Sequence, residues 1–541
     1  MVRGPIHGSA RLDSALAEVG LPRVGVHLLW KPRISKTMRW YVSTVIACTV
    51  YLYANLFLST KTPFLLGGDQ VYFWMGAQRI LDGQAAYRDF FQITPPGTDL
   101  VYAAFFKVLG TDIWVPNTVV IALGLLMGCV CFSLSRQLMK APQAALTTGL
   151  FMVLIYGKAL NATHHWFAVL LILAALRINM SRMMGTSVTL SGALLGLAAF
   201  FNQVHGGAAV LGFAVFLFLR TKRSGLAAIT AVREVAVLVF AFALTLLRLC
   251  AYHLTTVGFE KVWYCLVVYV FKYAAGSCHR TLGLPVGRVG ALAYLAIYVL
   301  LPVIYSFSLW RCWCSRRSAS FPWNQVALLS LIGLSLFLDV AISINWLRLF
   351  AVSLPGIVLT VWAAGGLQRR CRLLFVIASI ALTCVAVRQI AVKRALASAR
   401  GEFPGGRLAT TPQAYEKLRW LATHTHGGEF FLQAGWPGVY MPLQVRSPIY
   451  MPTLTRWDGV LDEDIPPAVE QMKAQEVRYV LWTHALDDGC AFNSCSDQLS
   501  IFRTYLKSSY RPVRTFDDGD VLWQKVDDRM LLSTTSHEGD R

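Results

Sequence analysis

The stretch Gly67–Gly97, with the sequence GGDQVYFWMGAQRILDGQAAYRDFFQITPPG, follows the first long apolar run of the chain. It is too acidic, and too often interrupted by Gly and Pro, to cross a membrane itself. The first 392 residues contain only ten acidic residues, and five of these lie between Asp69 and Asp112. We therefore interpret the stretch as a loop at one membrane face and as the candidate catalytic loop.

The composition indicates an α-helical polytopic membrane protein. Of the 541 residues, 55% are hydrophobic and 15% are charged, and apolar runs near the ~20 residues needed to span a bilayer recur along the chain. The net charge of +21 is also found in nucleic-acid-binding proteins. Here, however, Lys and Arg form short clusters between apolar runs, as the positive-inside rule requires. We expect a lipid bilayer around the chain and no nucleic acid as a partner.

The apolar runs predict about eleven transmembrane helices within residues 40–392. Residues 1–39 carry seven Lys or Arg and no long apolar run, which predicts a cytoplasmic basic tail. The first span then places residues 60–113, the first outer loop, on the far side. Because eleven is odd, residues 393–541 should lie on the same face as Asp69. The predicted spans are Trp40–Ser59, Trp114–Met139, Ala144–Tyr156, His165–Met180, Val188–Phe201, Gly207–Leu219, Val235–Tyr252, Val289–Trp310, Trp323–Ile342, Leu347–Ala363 and Leu373–Val392.

Residues 393–541 differ from the rest in charge. They carry 17 basic and 19 acidic residues, whereas residues 1–392 carry 33 and 10. Helix and strand signals alternate along them, ending in a hairpin around Asp517–Gly519. They predict a small extracytoplasmic α/β domain, in which Cys490 and Cys495 can form a disulfide outside a reducing cytosol. Nucleotide-binding, zinc-protease and serine-hydrolase motifs are absent from the sequence.

Within the first outer loop, apolar residues at helical spacing predict an amphipathic helix over Gln70–Asp82 in the membrane interface, stopped by Gly83. Asp69 falls at its N-cap, and an Asp in that position stabilises a helix whether or not it is catalytic. Pro95, Pro96 and Gly97 then break the chain. A second short helix is predicted over Thr98–Leu109.

Two further segments contain polar residues near the outer face. The segment Gly258–Pro285 mixes aromatic and basic residues, as expected either of an interfacial anchor or of a wall for a lipid or sugar substrate. Gln203 and His205 lie in the break FNQVHGG between two spans. They either line a substrate cavity or only satisfy the irregular backbone of that break.

The order of these features resembles the GT-C superfamily of polyprenyl-phosphate-sugar-dependent glycosyltransferases. The pattern is a first span, an Asp, an amphipathic helix ending in Gly, the sequence YRDFF followed by PPG, a short helix ending in FKVLG, many spans and an extracytoplasmic domain. It is most similar to bacterial relatives of the protein O-mannosyltransferases and of the lipid A aminoarabinose transferases. The resemblance covers the membrane part well and the C-terminal part in outline.

The resemblance implies roles for several residues. Asp69 corresponds to the base that activates an acceptor hydroxyl, in some relatives with a divalent cation nearby. Asp89 corresponds to a second acidic or polar position, and both are catalytic candidates. Tyr72, on the helix that follows Asp69, is a substrate-binding candidate. The aminoarabinose branch has a phosphate-binding Lys where this chain has Thr94. His164 and His165 occupy the outer end of a span where many relatives have an acid, so they are substrate-binding candidates and the case for a bound cation is weaker.

Displacement of a lipid phosphate requires a base near the attacking oxygen and positive charge near the leaving phosphate. Asp69 can act as the base. Arg348 is the first candidate for the positive charge, because a charged residue at the start of a span is costly unless it is interfacial, paired or functional. Snorkelling to the headgroups is its alternative, and Lys158 is a second candidate for the phosphate.

The sequence therefore predicts an integral membrane glycosyltransferase, in a bacterial inner membrane, that transfers a sugar from a polyprenyl-phosphate-linked donor. The acceptor is a glycan, lipid or protein on the outer face. A transporter or flippase for a lipid-linked glycan is the main alternative, although transporters typically show paired broken helices in two repeats. A sensor or scaffold would leave the acids of the first outer loop unexplained.

Overall fold

The computed structural model describes residues 35–181, 185–276, 288–316, 318, 320–341, 346–365, 372–455, 460–487 and 497–526. Residues 40–541 group into one unit and residues 1–39 into another. Cys490 and Cys495, predicted to form a disulfide, lie outside the described residues.

The described chain is mainly helical up to residue 396 and mixed thereafter. Most of the predicted spans fall on α-helices, but the first, Trp40–Ser59, ends in the strand Phe57–Ser59. The helices of the first part are α1 Lys36–Leu56, α2 Gln70–Leu81, α3 Gly97–Leu109, α4 Trp114–Ser135, α5 Ala141–Leu150, α6 His164–Ser181, α7 Gly185–Phe201, α8 Gln203–Arg223, α9 Ala228–Thr256, α10 Phe259–Trp263, α11 Tyr269–Gly276, α12 Arg288–Cys314, α13 Trp323–Ala341, α14 Trp346–Ala351, α15 Leu354–Gly365 and α16 Arg372–Leu396.

Six of these helices are long and apolar enough to cross a membrane, and three shorter apolar helices accompany them. The chain is therefore an integral, multi-pass membrane protein. The six long segments are Trp114–Ser135, Gln203–Arg223, Ala228–Thr256, Leu295–Cys314, Trp323–Ala341 and Phe375–Leu396. The shorter ones are His164–Met180, Thr186–Phe201 and Leu354–Gly365.

Two predicted spans are irregular in the structure. The span predicted at Leu347–Ala363 consists of α14 and α15, which are separated at Val352 and Ser353. After α5 the backbone widens into a π-helix over Phe151–Ile155 and tightens into a 3₁₀ turn over Tyr156–Lys158. Single π turns inside helices occur frequently at functional sites.

The first outer loop forms two short helices that pack on each other, α2 and α3. Their bounds agree with the predicted helices to within one residue. Gly83 adopts a positive φ of 85° directly after α2, so the stop at Gly83 follows from the freedom of glycine in that conformation. The first two turns of α2 are buried by protein, including Phe73 and Trp74. Much of the amphipathic helix therefore packs inside the molecule instead of lying on a lipid surface.

The C-terminal residues 397–526 contain two sheets. The first is the antiparallel hairpin β3 and β4, and the second has the strand order β5-β6-β8-β7, with β5 parallel to β6 and the other pairs antiparallel. A separate two-stranded antiparallel sheet, formed by β1 and β2, lies near the start of the first outer loop. The strands are β1 Phe57–Ser59, β2 Thr62–Pro63, β3 Ala399–Phe403, β4 Gly406–Thr410, β5 Phe431–Ala434, β6 Tyr479–Trp482, β7 Tyr510–Thr515 and β8 Val521–Lys525. The helices here are α17 Pro412–Ala422, α18 Tyr440–Leu443, α19 Ile465–Ala474 and α20 Ser500–Ser509.

Backbone hydrogen bonds join these C-terminal residues to the first outer loop. Leu65 donates its N–H to the carbonyl of Ala409 over 2.9 Å, and Ile113 donates to the carbonyl of Gly405 over 2.8 Å. Arg79, in the last turn of α2, donates to the carbonyl of Ile449 over 3.0 Å. The first outer loop is thus bonded to the C-terminal residues, and its helix α3 also packs against α4, α6 and α7 of the membrane part.

Candidate functional site

Helix α2 begins at a junction between the first outer loop and the loop before α6. Gln70 donates to the carbonyl of Gly67 over 3.0 Å and accepts from the N–H of Ala162 over 3.3 Å. Asp69 precedes Gln70, is half-buried, and does not cap the helix with its side chain. The N-cap position predicted for Asp69 is confirmed, whereas the capping hydrogen bond is not formed.

Three histidines and one aspartate meet next to this helix start, and we name them the histidine junction: His164, His165, His205 and Asp339. The ring of His164 lies 5.3 Å from that of Phe73 on α2 and 3.9 Å from that of His165. His165 Nδ1 is 3.2 Å from His205 Nε2, and His205 Nδ1 is bonded to a carboxylate oxygen of Asp339. The structure thus brings the three predicted histidines together beside α2.

Asp339 was missed by sequence reasoning. It lies in the outermost turn of α13, and its side chain is 11% exposed. The available signal was its position as the only acid in the apolar run Trp323–Ala341, since ionisable residues within spans are rare and usually paired or functional. Asn202 completes the junction from the break between α7 and α8, with its amide nitrogen 3.2 Å from His165 Nδ1.

The two residues predicted to supply positive charge, Arg348 and Lys158, lie on elements next to α6. Arg348 is half-buried on α14, which packs against α6, the helix that carries His164 and His165. Lys158 is exposed in the 3₁₀ turn six residues before His164. Nδ1 of His164 is buried and has no hydrogen-bond partner within the described residues. A polar atom of this kind is available to a ligand that enters the junction.

The Pro-Pro-Gly break packs against the end of α7. A Cβ added at Gly97 would lie 2.6 Å from the carbonyl oxygen of Phe200, so only glycine permits this approach. Gln203 then links two outer segments, donating to the carbonyls of Ile93 over 3.2 Å and Leu266 over 3.3 Å. Gln203 therefore joins the first outer loop to the segment that follows α9.

Asp89 makes contacts within its own turn. It accepts from the N–H of Ala85 over 2.7 Å and forms an ion pair with Arg88 at 2.9 Å. The hydrogen bond from Arg88 holds the pKa of this carboxyl below its usual range. Asp89 is thus ionised and shapes the loop that leads to the Pro-Pro-Gly break.

Asp99 is the acid of this loop whose surroundings differ most. It is fully buried on α3, where Gln92 donates to its Oδ1 over 2.6 Å, and its Oδ2 has no partner within the described residues. Burial raises its pKa well above the usual value. Burial therefore favours the protonated, uncharged form of this carboxyl. Sequence reasoning counted Asp99 with the other acids and missed its burial, although it shares a helix face with the apolar Tyr102, Ala103 and Phe106.

A cavity of about 570 Å³ lies between the first outer loop, the segment after α9 and the C-terminal residues; we name it the outer cavity. Lys261 lies over the ring of Tyr450, 5.2 Å from its centroid. Lys272 bonds Glu463 over 2.8 Å and holds the pKa of this carboxyl below its usual range. Four aromatic and basic residues of Gly258–Pro285 therefore line this cavity: Lys261, Tyr264, Tyr269 and Lys272.

Tyr72 meets a residue from the opposite end of the chain. Its ring stacks on that of Trp436 with the centroids 5.9 Å apart and the planes at 28°. Trp436 is exposed, in the loop between β5 and α18. No sequence periodicity could have paired two residues so far apart in the chain.

No group of three or more His, Cys, Asp or Glu in the described ranges is arranged to hold a metal ion. The histidines of the junction bond to each other and to Asp339.

Comparisons by sequence give no relative: no family model matches the chain, and no curated protein matches it significantly. Solved structures do match. The oligosaccharyltransferase of Archaeoglobus fulgidus, tethered to an acceptor peptide containing the NVT sequon, has 11% identity and a TM-score of 0.51, with 90% of this chain and 74% of that chain covered.

Two other solved structures are similar at a lower score. ArnT from Cupriavidus metallidurans, bound to undecaprenyl phosphate, has 13% identity and a TM-score of 0.48 over 91% of this chain and 99% of that chain. The arabinofuranosyltransferase AftD from Mycobacteria has 14% identity and a TM-score of 0.41 over 91% of this chain and 40% of that chain. These neighbours are GT-C glycosyltransferases. On the match to the archaeal oligosaccharyltransferase, the chain has the fold of the GT-C glycosyltransferases.

Proposed function

We propose that the chain is an integral membrane glycosyltransferase that moves a sugar from a polyprenyl-phosphate-linked donor to an acceptor on the extracytoplasmic face. The observation that carries the proposal is the half-buried Asp69 at the start of α2, where Phe73 of the same helix lies 5.3 Å from the ring of His164. Arg348 lies on α14, which packs against α6, the helix that begins at His164. Transfer from a lipid phosphate requires a base and a positive charge of this kind.

The proposed topology has eleven spans within residues 40–392, a cytoplasmic tail at 1–39 and an extracytoplasmic α/β domain at 393–541, in a bacterial inner membrane. The hydrogen bonds from Leu65 to Ala409 and from Ile113 to Gly405 support one part of it. They require residues 60–113 and the C-terminal residues to be on the same face of the membrane. The proposed topology fits this arrangement, because one span precedes residues 60–113 and eleven spans precede residues 393–541, and both numbers are odd.

In the proposed reaction, Asp69 takes the proton of an acceptor hydroxyl, and the acceptor oxygen forms a bond to the anomeric carbon of the donor. The bond between that carbon and the phosphate oxygen breaks, and the phosphate leaves with the electron pair. Arg348 stabilises the negative charge that builds up on the phosphate, with Lys158 as the second candidate. The polar atoms of His164, His165, Gln203 and His205 bind the donor sugar, and Tyr72 binds the acceptor. Asp89 stabilises the conformation of the loop by accepting the hydrogen bond from Ala85.

The test separates a transferase from a transporter or flippase. The protein, reconstituted in nanodiscs and in proteoliposomes, is given undecaprenyl-phosphate-linked sugars with a radiolabel on the sugar, together with an extract of cell-envelope glycans. We expect release of undecaprenyl phosphate and transfer of label in nanodiscs, where there is no second compartment. Movement of the intact donor across proteoliposomes without its cleavage would overturn the proposal.

A further inference from the structure

Trp436 is exposed, whereas the other large aromatic residues described between 397 and 526 are buried or half-buried. Among the described residues from 397 to 526 it is the one exposed large aromatic side chain, with 40% of its surface accessible. The other exposed large apolar residues there are Ile501 and Val513, which lie on α20 and β7. Among the described C-terminal residues, the indole is therefore a single exposed aromatic group.

The loop that carries Trp436 is fixed on both sides. Gly435 adopts a φ of 99°, donates to the carbonyl of Leu454 over 2.8 Å and accepts from the hydroxyl of Thr453 over 2.5 Å. On the other side, Val439 donates to the side chain of Gln433 over 3.0 Å. The backbone that presents the indole is thus held in place before any ligand arrives, which lowers the cost of binding.

The indole of Trp436 contacts a residue three positions after the proposed base, Asp69. It stacks on Tyr72 with 5.9 Å between the ring centroids. Tyr72 is three residues after Asp69 at the start of α2, and residues three apart on a helix are neighbours, with ≈ 5–6 Å between their Cβ atoms. An acceptor held on the two rings would therefore have its hydroxyl groups close to the carboxylate of Asp69.

We propose that Trp436 and Tyr72 form an aromatic platform for a sugar ring, so that the acceptor is a carbohydrate. This inference rests on the proposed function and narrows its acceptor class. One face of a pyranose or furanose ring presents C–H groups, which pack on the electron-rich face of an indole, while the hydroxyl groups at its edge stay available for hydrogen bonding and for attack. A ring stacked in this way can offer a hydroxyl to Asp69.

The test measures binding without transfer. The protein in nanodiscs is titrated with the methyl glycosides of mannose, glucose, galactose and arabinofuranose, and with a Ser/Thr-containing heptapeptide, by saturation-transfer NMR. We expect at least one glycoside to bind, and Trp436→Ala to weaken that binding about tenfold or more, the usual loss when a central aromatic anchor is truncated. Trp436→Phe should retain most of it.

Trp263 provides a matched control. It is 49% exposed and stacks on Phe259 with 5.7 Å between centroids and 23° between planes. It lies on α10, after α9, and not on the first outer loop that contains Asp69. Trp263→Ala should bind the glycoside as the wild type does. Unfolding temperatures of all variants establish that each is folded.

Two results would overturn the platform: no glycoside binding to the wild type, or equal binding to Trp436→Ala and the wild type. Peptide binding that depends on Trp436, without glycoside binding, would overturn it in favour of a protein acceptor. Asp69→Asn should still bind the glycoside. A protein that binds glycosides through Trp436 but never cleaves a donor would contradict the proposed function and leave the platform standing.

Discussion

The two ends of helix α2 differ in what they contact. At its start, Phe73 lies against His164 of the histidine junction, and Tyr72 stacks on the exposed Trp436. At its end, Arg79 bonds Gln84 and Ile449 and lies 5.4 Å from the ring centroid of Phe90. Burial lowers the pKa of Arg79 to about 10, and the guanidinium stays charged at neutral pH. We name the start of α2, with Asp69, the open end, and its last turn, which is bonded to the C-terminal residues, the fastened end.

This difference separates residues that should affect transfer from residues that should affect folding, although all belong to the same acid-rich loop. Asp69 lies at the open end. Asp99 lies under the middle of α2, where its Oδ1 would be 1.9 Å from a Cβ added at Gly76. Asp82 lies at the fastened end and pairs with Arg446. Substitution of each acid tests a different part of the comparison.

The largest effect is expected at the open end. Asp69→Asn keeps the size of the side chain but removes the group that accepts a proton, and loss of a positioned base typically lowers the rate ~10²–10⁴-fold. Sugar transfer by reconstituted protein is the measurement. Because Asn keeps the size of the side chain and can itself serve at an N-cap, stability should change by well under ~1 kcal/mol, as measured by thermal unfolding. A variant with wild-type transfer would remove Asp69 from catalysis.

Under the middle of the helix, Gly76→Ala should destabilise the protein without acting on the chemistry. The added methyl group meets the buried Asp99 and, at 3.2 Å, Nε2 of Gln92. Overpacking of this kind typically costs 1–3 kcal/mol, which thermal unfolding in detergent would show. Gly207→Ala on α8 is the control, because nothing lies within 4 Å of the new Cβ there. Equal unfolding temperatures for the two variants would mean that the packing around Asp99 is looser than described.

The buried Asp99 should make stability depend on pH. Burial raises its pKa in the folded protein, so the folded state holds a proton that the unfolded chain releases near the usual carboxyl pKa of ≈ 3.9. Stability from this group is complete below that value and is lost as pH rises through the raised pKa. Asp99→Asn should flatten this part of the curve of unfolding free energy against pH. An unchanged curve would contradict the protonated state assigned to Asp99.

The smallest effect is expected at the fastened end. Asp82→Asn removes an exposed ion pair with Arg446, in which the side chains are 39% and 55% exposed. Exposed pairs contribute ≈ 0–1 kcal/mol, and Arg79 still anchors this end. Transfer and stability should both stay near the wild-type values. A loss of transfer as large as that of Asp69→Asn would show that the loop acts as one unit and would end the distinction between its two ends.

The helices of the membrane part were predictable because each depends on a local pattern. Apolar runs predicted helices along the membrane part, and Gly83 predicted the end of α2, which the structure confirms with a positive φ of 85° at that residue. The hairpin of β3 and β4 was not predicted, because its residues lack a clear alternation of apolar and polar side chains. Its bonds to Leu65 and Ile113 depend instead on contacts distant in the sequence.

The site residues divide in the same way. Arg348 was chosen from the cost of a charge at the start of a span, His164 and His165 from the family resemblance, and His205 from the break between two spans. His165 lies in contact with His164 and His205, and the helix of Arg348 packs against α6. Their roles stay predictions. Asp339 carried the same signal within its span but was passed over. The pairing of Tyr72 with Trp436 depends on the packing of two distant parts of the chain, which no local pattern contains.

The most direct test of the central claim measures donor binding and sugar transfer on one sample of Asp69→Asn in nanodiscs, using a radiolabelled undecaprenyl-phosphate sugar. If the open end of α2 supplies only the base, the donor should bind within about twofold of its wild-type affinity, since a group that acts only in the transition state adds no ground-state binding. Transfer should then be lost from a folded, donor-loaded protein. Wild-type transfer, or a loss of transfer explained entirely by lost donor binding, would contradict the account.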